Sequence, residues 1–272
     1  MTDSSTTDDE SDRGTERETD RTVDQRDYVR EEYGEIAASA DDCCGSSPAD
    51  APGESEPTAA DDRARSIGYG SADLESAPDG ANLGLGCGNP VAISGLKSGE
   101  TVLDLGSGGG FDCFLAAREV GPDGQVIGVD MTPEMLDRAR ANADDSEFEN
   151  VEFRLGEIEH LPVADGTVET VISNCVLNLS PEKPRVLAEA FRVLEAGGSL
   201  SISDLVATGP LPQEVREDPD AIADCVGDAA RIESLEAWLE EAGFVDVSIT
   251  PEGDWSDDLP IVSARIEAQK PA

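Results

Sequence analysis

Residues 101–113, TVLDLGSGGGFDC, run from an apolar strand through a glycine-rich turn into the first turn of a helix. Gly106, Gly108 and Gly110 allow the backbone to turn tightly and to approach a ligand where a side chain would clash. The next apolar strand ends at Asp130, where a carboxylate can accept hydrogen bonds from ribose hydroxyls. The pattern therefore predicts a site for a nucleoside-containing cofactor at the carboxyl edge of a parallel sheet.

Apolar strands and amphipathic helices alternate on the carboxyl side of this motif as well. The predicted strands cover 101–106, 125–130, 151–156, 168–176 and 199–206. Strands alternating with helices predict an α/β fold with a doubly wound parallel sheet. Two more strands, 245–250 and 261–269, are joined only by a loop, so we expect an antiparallel pair at the sheet edge.

The chain divides into three parts by composition. Residues 1–26 are acidic and have almost no apolar side chains, which predicts disorder. Residues 27–95 combine a short helix, a Pro-containing linker predicted to be flexible, and a loop that carries Cys87. Residues 96–272 form the predicted cofactor-binding domain, and 207–240 are predicted to be a small cap over the cofactor edge.

The charge of the chain excludes several classes of partner. Acidic residues number 60 against 19 basic ones, for a net charge of −41. Such a charge repels nucleic acid and anionic membranes. Only three lysines occur, and this usage resembles that of proteins from salt-accumulating halophiles. The amino terminus lacks a signal-peptide pattern and no long apolar run is present, so we expect a cytoplasmic protein with its six cysteines as thiols.

The glycine motif starts with an acidic residue, Asp104, two residues before its first glycine. This pattern resembles the first motif of class I S-adenosylmethionine-dependent methyltransferases. The resemblance implies a Rossmann-like seven-stranded sheet with S-adenosylmethionine as cofactor. It implies that Asp104 faces the methionine end, Asp130 the ribose and Met131 the adenine. By the same resemblance, the adenine is bordered by Gly156, Glu157, Ile158 and Glu159, and the methionine side is lined by Asn174.

Three cysteines come from separate segments that we expect to meet at the cofactor edge. Cys175 ends the fourth strand, Cys225 lies in the predicted cap, and Cys87 lies just upstream of the sheet. Thiolates in threes, without histidine, suit a soft trigonal ion such as trivalent arsenic. Cys113 is expected to pack in the core, the single histidine, His160, to lie on the surface, and Tyr28 and Tyr33 to pack a helix.

Several cysteine-bearing segments together resemble arsenite methyltransferases of halophilic archaea, over about residues 27–270. They are GLGCGNP (84–90), SNCVLNL (173–179), DCVGDA (224–229) and YVREEYG (28–34) with Cys43 and Cys44 downstream. The resemblance implies methyl transfer to arsenite or its thiol conjugates. It also implies that Cys175 and Cys225 hold arsenic, that Cys87 is a third, mobile thiol, and that Cys43 or Cys44 is a redox partner.

A disulfide between Cys87 and one of these two cysteines would return arsenic to the trivalent state, with a thioredoxin-like protein or a small thiol as reductant. An alternative role for the vicinal pair Cys43 and Cys44 is early capture of arsenic. Two other functions stay open from the residues alone. One is methylation of a small organic acceptor, with the cysteines merely packed. The other is an arsenic-binding protein that sequesters or senses the ion without turnover.

The acidic composition predicts that the folded state requires salt. Screening of like charges strengthens with ionic strength, since the Debye length falls from about 30 Å at 0.01 M to about 3 Å at 1 M. We expect the melting temperature, measured by circular dichroism, to rise steeply with potassium chloride. A matched series in a non-ionic solute of equal osmolality is the control, and equal rises in the two series would contradict the electrostatic explanation.

Overall fold

The computed structural model describes residues 10–39 and 58–272, with side chains from Gln25 onward. Cys43 and Cys44 lie outside the described residues. The sheet has seven strands in the order β3-β2-β1-β4-β5-β7-β6. Its strands are β1 Thr101–Leu105, β2 Gln125–Asp130, β3 Val151–Leu155, β4 Val168–Asn174, β5 Leu194–Ala207, β6 Val245–Asp254 and β7 Ile261–Gln269.

The first five strands are parallel, and β7 runs antiparallel between β5 and β6. In the centre of the sheet, Leu103 pairs with Ile127 on one side and with Val171 on the other. Because helices cover both faces, central strands are buried on both sides and read as continuous apolar runs. The predicted α/β class and the antiparallel pair at the edge are confirmed.

Helices of the described residues flank the sheet and precede it. They are α1 Glu10–Ser39, α2 Ala59–Ser66, α3 Ser71–Ser76, α4 Pro90–Ser94, α5 Phe111–Val120, α6 Pro133–Asp144, α7 Lys183–Val193, α8 Gln213–Arg216, α9 Pro219–Ala223 and α10 Ile232–Ala242. One face of the sheet packs on α7 and α10 through residues such as Leu187 and Leu239. The other packs on α5 and α6, with Phe114 fully buried. Within the described residues, none of these helices is long and apolar enough to cross a membrane.

The amino-terminal part of the chain is more regular than its composition predicts. Helix α1 begins at Glu10, inside the segment predicted to be disordered. Extending an existing helix costs far less than nucleating one, so the Glu- and Arg-rich residues before Gln25 can add turns without burying apolar surface. Residues 1–9 lie outside the described residues.

The linker predicted to be flexible contains three short helices between 58 and 95. The hydroxyl of Thr58 accepts a hydrogen bond from the backbone of Asp61, and the Asp61 carboxylate accepts one from the backbone of Thr58, which fixes the start of α2. The helices within 58–95 were therefore not predicted, and the flexibility of this segment stays a prediction. Composition alone does not reveal this reciprocal cap, because the residues around it are a run of Ala and Asp.

Strand β5 also differs from its predicted limits. The strand was predicted to begin at residue 199, but it begins at Leu194, directly after α7 ends at Val193, so that Gly197 and Gly198 lie inside β5. Leu194 pairs with Val168 across a register shift in β4. Strand β6 extends to Asp254, four residues beyond its predicted end.

Candidate active site

A cleft opens at the carboxyl ends of β1, β2 and β4, where open α/β sheets bind their ligands. It encloses about 1030 Å³ of empty space, including the part open to solvent. Backbone from the glycine turn forms its floor. Side chains along its walls belong to Arg26, Val29, Tyr33, Tyr69, Leu85, Asp104, Phe111, Asp112, Asp130, Met131, Ile158, Glu159, Asn174, Cys175 and Leu179, among others.

The glycine turn is held against the tip of β2 by Asp130. Its carboxylate accepts hydrogen bonds from the backbone N–H of Gly108 at 2.9 Å and of Thr132 at 2.8 Å. Burial raises the pKa of Asp130 above its usual value, although these bonds oppose the shift. At Gly106, φ is +68° and an added Cβ would lie 2.4 Å from Val176, so only glycine fits there.

The cleft walls fit the two ends of S-adenosylmethionine. Buried Asp104 lies at the floor, where the thiol of Cys113 donates a hydrogen bond to its carboxylate at 3.2 Å. Asp130 lies beyond the glycine turn, with the apolar side chains of Met131 and Ile158 in the same lining. This arrangement offers carboxylates to an amino group and to ribose hydroxyls, and apolar contact to a base.

Glu157 is the exception among the predicted cofactor residues. Its side chain is 36% exposed and pairs with Arg30 and His160 instead of lining the cleft. The carboxylate that lines the cleft from this segment is Glu159, which is buried and accepts hydrogen bonds from Ser180 and Arg26. The residue order after β3 therefore turns Glu157 away from the cleft lining, and its place beside the cofactor stays a prediction. Gly110 is not part of the lining but starts α5 with φ of +92°.

The side-chain amide of Asn174, at the end of β4, joins the cleft to the Cys87 loop. Its nitrogen donates to the Tyr69 hydroxyl at 2.9 Å, the Gly88 carbonyl at 2.9 Å and Asp112 at 3.2 Å. Its oxygen accepts from the backbone N–H of Cys87 at 3.0 Å. Asn174 therefore contacts the predicted cofactor side and one of the thiol segments at the same time.

Close approach to Asn174 also explains the glycine before Cys87. At Gly86, φ is +94° and an added Cβ would lie 2.7 Å from the Asn174 amide. A larger residue would push the loop away from β4. The loop was predicted to be mobile, yet Cys87 is only 4% exposed, with its Sγ 3.7 Å from the Ser203 carbonyl oxygen.

The structure brings Cys87, Cys175 and Cys225 together in one buried cluster. The Sγ atoms of Cys87 and Cys175 and a carboxylate oxygen of Asp204 all lie within 4.8 Å of one another. The Cys225 thiol donates to the Cys175 carbonyl oxygen at 2.8 Å. Partly buried apolar side chains surround these thiols, namely Tyr33, Met131, Leu211, Val226, Trp255 and Leu259.

Cys175 and Cys225 have an unusual backbone conformation. Their φ angles are +58° and +63°, and among the described residues Asp246 is the only other non-glycine with positive φ. Such a conformation disfavours any residue with a Cβ, and it persists where surrounding contacts impose it, often at functional sites. Both thiols are thus directed into the cluster by a strained backbone.

Burial keeps the empty cluster in its thiol form. It raises the pKa of Cys87 to about 11. For Cys225, the hydrogen bond with the Cys175 thiol and then burial raise the pKa well above the usual value. Both groups are protonated at neutral pH, so binding of a thiophilic ion must remove these protons.

Comparison with known proteins identifies the family. Residues 96–243 match the family described as "Methyltransferase domain". The arsenite methyltransferase of Halobacterium salinarum is 54% identical over 91% of this chain and 67% of that protein. The chain belongs to the arsenite methyltransferase family. Its cofactor is S-adenosylmethionine, as the glycine motif predicts.

Two further members of the arsenite methyltransferase family agree with this assignment. The arsenite methyltransferase of Aquipseudomonas alcaligenes is 44% identical over 59% of this chain and 48% of that protein. The crystal structure of an arsenic(III) S-adenosylmethionine methyltransferase from Chlamydomonas reinhardtii is 34% identical, with a TM-score of 0.62, over 77% of this chain and 73% of that one. The chain thus spans about two thirds of the first relative and about half of the second.

Sequence reasoning missed several residues that this arsenite methyltransferase family member places at the site. Asp112 is buried and accepts hydrogen bonds from Tyr69 and Asn174, and its burial raises its pKa to about 6. Its position in the glycine motif, two residues after Gly110, is the sequence signal that points to it. No role was predicted for Asp204, because its place within a strand does not indicate which side chains of other segments lie beside it.

Helix α1 covers the cleft and contacts the segment that carries Cys225. Tyr33, predicted only to pack a helix, lines the cleft and donates to the Ala223 carbonyl oxygen at 3.2 Å. Tyr28 is half-buried and donates to Asp220 on α9 at 2.5 Å. Arg26 pairs with Glu159 and Glu182 at the opposite wall. His160 lies on the surface and Cys113 is fully buried, as predicted.

The left-handed backbone at Cys175 and Cys225 predicts that glycine is less destabilising than alanine at these two positions, the reverse of the order in a helix. We expect Cys175→Gly to be more stable than Cys175→Ala by about 1 kcal/mol, since glycine adopts positive φ without a steric penalty. The same order is expected at Cys225. Urea unfolding at high salt, with linear extrapolation of the free energy of unfolding, measures the difference.

The matched control is Cys113, which is equally buried but lies inside α5. There the order should reverse, with alanine more stable than glycine by about 1 kcal/mol because glycine is a poor helix former. Alanine more stable than glycine at all three cysteines would contradict the strained geometry.

Proposed function

We propose that this protein transfers a methyl group from S-adenosylmethionine to trivalent arsenic bound by Cys87, Cys175 and Cys225. The main support is that three buried thiols from three separate segments meet at Cys175, which also lines the cofactor cleft. The named activity of the relatives supports the same substrate. Packing alone would not require two cysteines in a left-handed conformation.

Arsenite can bind to protonated thiols because its own hydroxyl groups accept the thiol protons. Each As–OH group leaves as water with the proton of one thiol, and one As–S bond forms in its place. Three thiols and one arsenous acid thus yield three As–S bonds and three waters, without net release of protons. The raised thiol pKa values therefore do not prevent binding.

Methyl transfer requires the two reactants to be held at near-attack distance, and the two proposed sites adjoin at Cys175. When bound, S-adenosylmethionine supplies a methyl group on a positively charged sulfur, which keeps the C–S electron pair as the methyl group leaves. Cys175 lies in both the cluster and the cleft wall, so arsenic on its thiolate has its lone pair near the cleft. Trp255, Leu211 and Leu259 limit the access of water to the cluster.

We further propose that a disulfide restores trivalent arsenic. The new As–C bond uses the lone pair and leaves arsenic formally pentavalent. The thiol of Cys43 or Cys44 attacks the arsenic-bound sulfur of Cys87, so that an S–S bond forms and the As–S bond to Cys87 breaks. The electron pair of that As–S bond stays on arsenic, which becomes trivalent, and the attacking thiol loses one proton. A thioredoxin-like protein or a small thiol then reduces the disulfide by exchange. Because Cys87 is buried in the described structure, this pairing requires its loop to open.

The decisive experiment uses S-adenosylmethionine with a labelled methyl group, arsenite, a thiol reductant and high potassium chloride. We expect labelled methylarsenicals by chromatography and an equivalent amount of S-adenosylhomocysteine. Stoichiometric arsenite binding without S-adenosylhomocysteine would indicate a sequestering protein instead. Absence of any labelled arsenical at saturating arsenite, from a folded protein that binds the cofactor, would refute the proposal and favour an organic acceptor.

Cysteine variants test the assigned roles in the same assay. Cys175→Ser and Cys225→Ser should abolish every methylation step. Cys87→Ser, or Ser at both Cys43 and Cys44, should spare methylation of monomethylated arsenic, which needs only two protein thiols. Cys113→Ser is the matched control and should retain all steps. Equal losses in the Cys87, Cys175 and Cys225 variants would contradict the separate roles.

A further inference from the structure

Asp204 adds a fourth donor to the thiol cluster, and trivalent arsenic does not need it. Arsenic takes three sulfur ligands in a pyramid, yet the Sγ atoms of Cys87 and Cys175 lie within 4.8 Å of an Asp204 carboxylate oxygen. The side chain is 1% exposed, so its charge is not stabilised by bulk water. A buried carboxylate beside two thiols therefore calls for a separate explanation.

The two oxygens of Asp204 have different surroundings. Oδ1 accepts hydrogen bonds from the Asn178 side-chain amide at 2.8 Å and from the Leu205 backbone N–H at 2.7 Å. Oδ2 is buried and has no hydrogen-bond partner. One oxygen is thus fixed by the protein while the other stays unsatisfied. Carboxylates that bind metals are oriented in this way, with hydrogen bonds to outer-shell groups.

Asn178 is itself held in place, so the orientation of Asp204 is firmly set. It is 1% exposed, its amide nitrogen also donates to the Leu205 carbonyl oxygen at 2.7 Å, and its oxygen accepts from the backbone of Ala230 at 3.1 Å. These bonds connect the end of β4 to the segment after Cys225. The hydrogen bonds to Oδ1 thus fix the orientation of Asp204, while Oδ2 is buried without a hydrogen-bond partner.

We propose that Cys87, Cys175 and Asp204 form a binding site for a thiophilic divalent cation, with Zn²⁺ as the representative ion. Thiolate sulfur and carboxylate oxygen are both common zinc ligands, and zinc is usually tetrahedral. Cys225, whose thiol donates to the Cys175 carbonyl oxygen, belongs to the same buried cluster and is a candidate for the fourth ligand. Binding releases the thiol protons to solvent and involves no change of oxidation state.

The size of the cluster fits such an ion after a small contraction. With Zn–S bonds of about 2.3 Å and Zn–O bonds of about 2.0 Å, the donor atoms of a tetrahedral site lie about 3.5 to 3.8 Å from one another. The observed donors lie within 4.8 Å of one another, so they need to approach by at most about 1.3 Å, which side-chain rotation allows. If the proposed function is correct, the cation competes with arsenite, because both bind to the thiols of Cys87 and Cys175.

The test separates the cation from arsenite through Asp204→Asn. Asparagine keeps an oxygen for Asn178 and Leu205 but replaces the anionic donor. The background carries Ser at Cys43 and Cys44, so that the vicinal pair binds neither ion. We expect one Zn²⁺ per chain by calorimetry at high salt under reducing, oxygen-free conditions. Asp204→Asn should raise the Kd for Zn²⁺ at least about 10-fold and leave the Kd for arsenite unchanged.

Two further variants complete the comparison. Cys87→Ser should weaken binding of both ions, and Cys113→Ser should change neither. If Asp204→Asn fails to fold by circular dichroism, zinc-edge X-ray absorption of the unchanged chain decides: sulfur neighbours together with an oxygen neighbour support the site, and sulfur alone overturns it.

The outcomes distinguish this proposal from the proposed function. An unchanged Kd for Zn²⁺ in folded Asp204→Asn, or arsenite binding without zinc binding, overturns the cation site and leaves arsenic methylation intact. Failure of both ions to bind overturns the thiol cluster itself, and with it the proposed function.

Discussion

Hydrogen bonds of the Asn174 side chain are the contacts on which both halves of the site depend. The amide lies at the carboxyl end of β4 and bonds to Tyr69 and Asp112 at the cleft and to the Cys87 loop behind it. The next residue, Cys175, turns into the left-handed region, which directs its thiol toward the cluster. The end of one central strand thereby sets the position of the cofactor cleft and of the thiols relative to each other.

The parts of the fold that could be predicted are those determined by local sequence. The glycine turn, the acid at Asp130 and the alternation of strands and helices each have a short-range pattern. The place of Cys175 at the cofactor edge followed from the rule that ligands bind at the carboxyl ends of parallel strands. The roles of Cys87 and Cys225 were implied mainly by the resemblance to arsenite methyltransferases. The fit of Gly86 against Asn174 links residues that are 88 positions apart, and no pattern within either segment reveals it. The support of Asp204 by Asn178 is equally non-local.

Tertiary contacts likewise explain why the helices of the linker region were not predicted. Helix α2 has only eight residues, too few to be stable alone. It is held by its capping box and by Arg63, which lies 4.7 Å from the ring centre of Trp255 and donates to the Gly86 carbonyl oxygen. The acidic surface, by contrast, relates to solvent and not to chemistry. The charge of −41 bears on folding in salt, whereas buried thiols and carboxylates determine what the site binds.

The central claim is that arsenic is bound by three thiols supplied by three distant segments of the chain. Arsenic-edge X-ray absorption of the arsenite complex at high salt tests it most directly. In the protein with Ser at Cys43 and Cys44, we expect arsenic to have three sulfur neighbours and no oxygen neighbour. When Cys87→Ser is added to this background, one of the three sulfur neighbours should be replaced by oxygen. Two sulfurs and one oxygen in the protein that retains Cys87, unaltered by Cys87→Ser, would contradict the account.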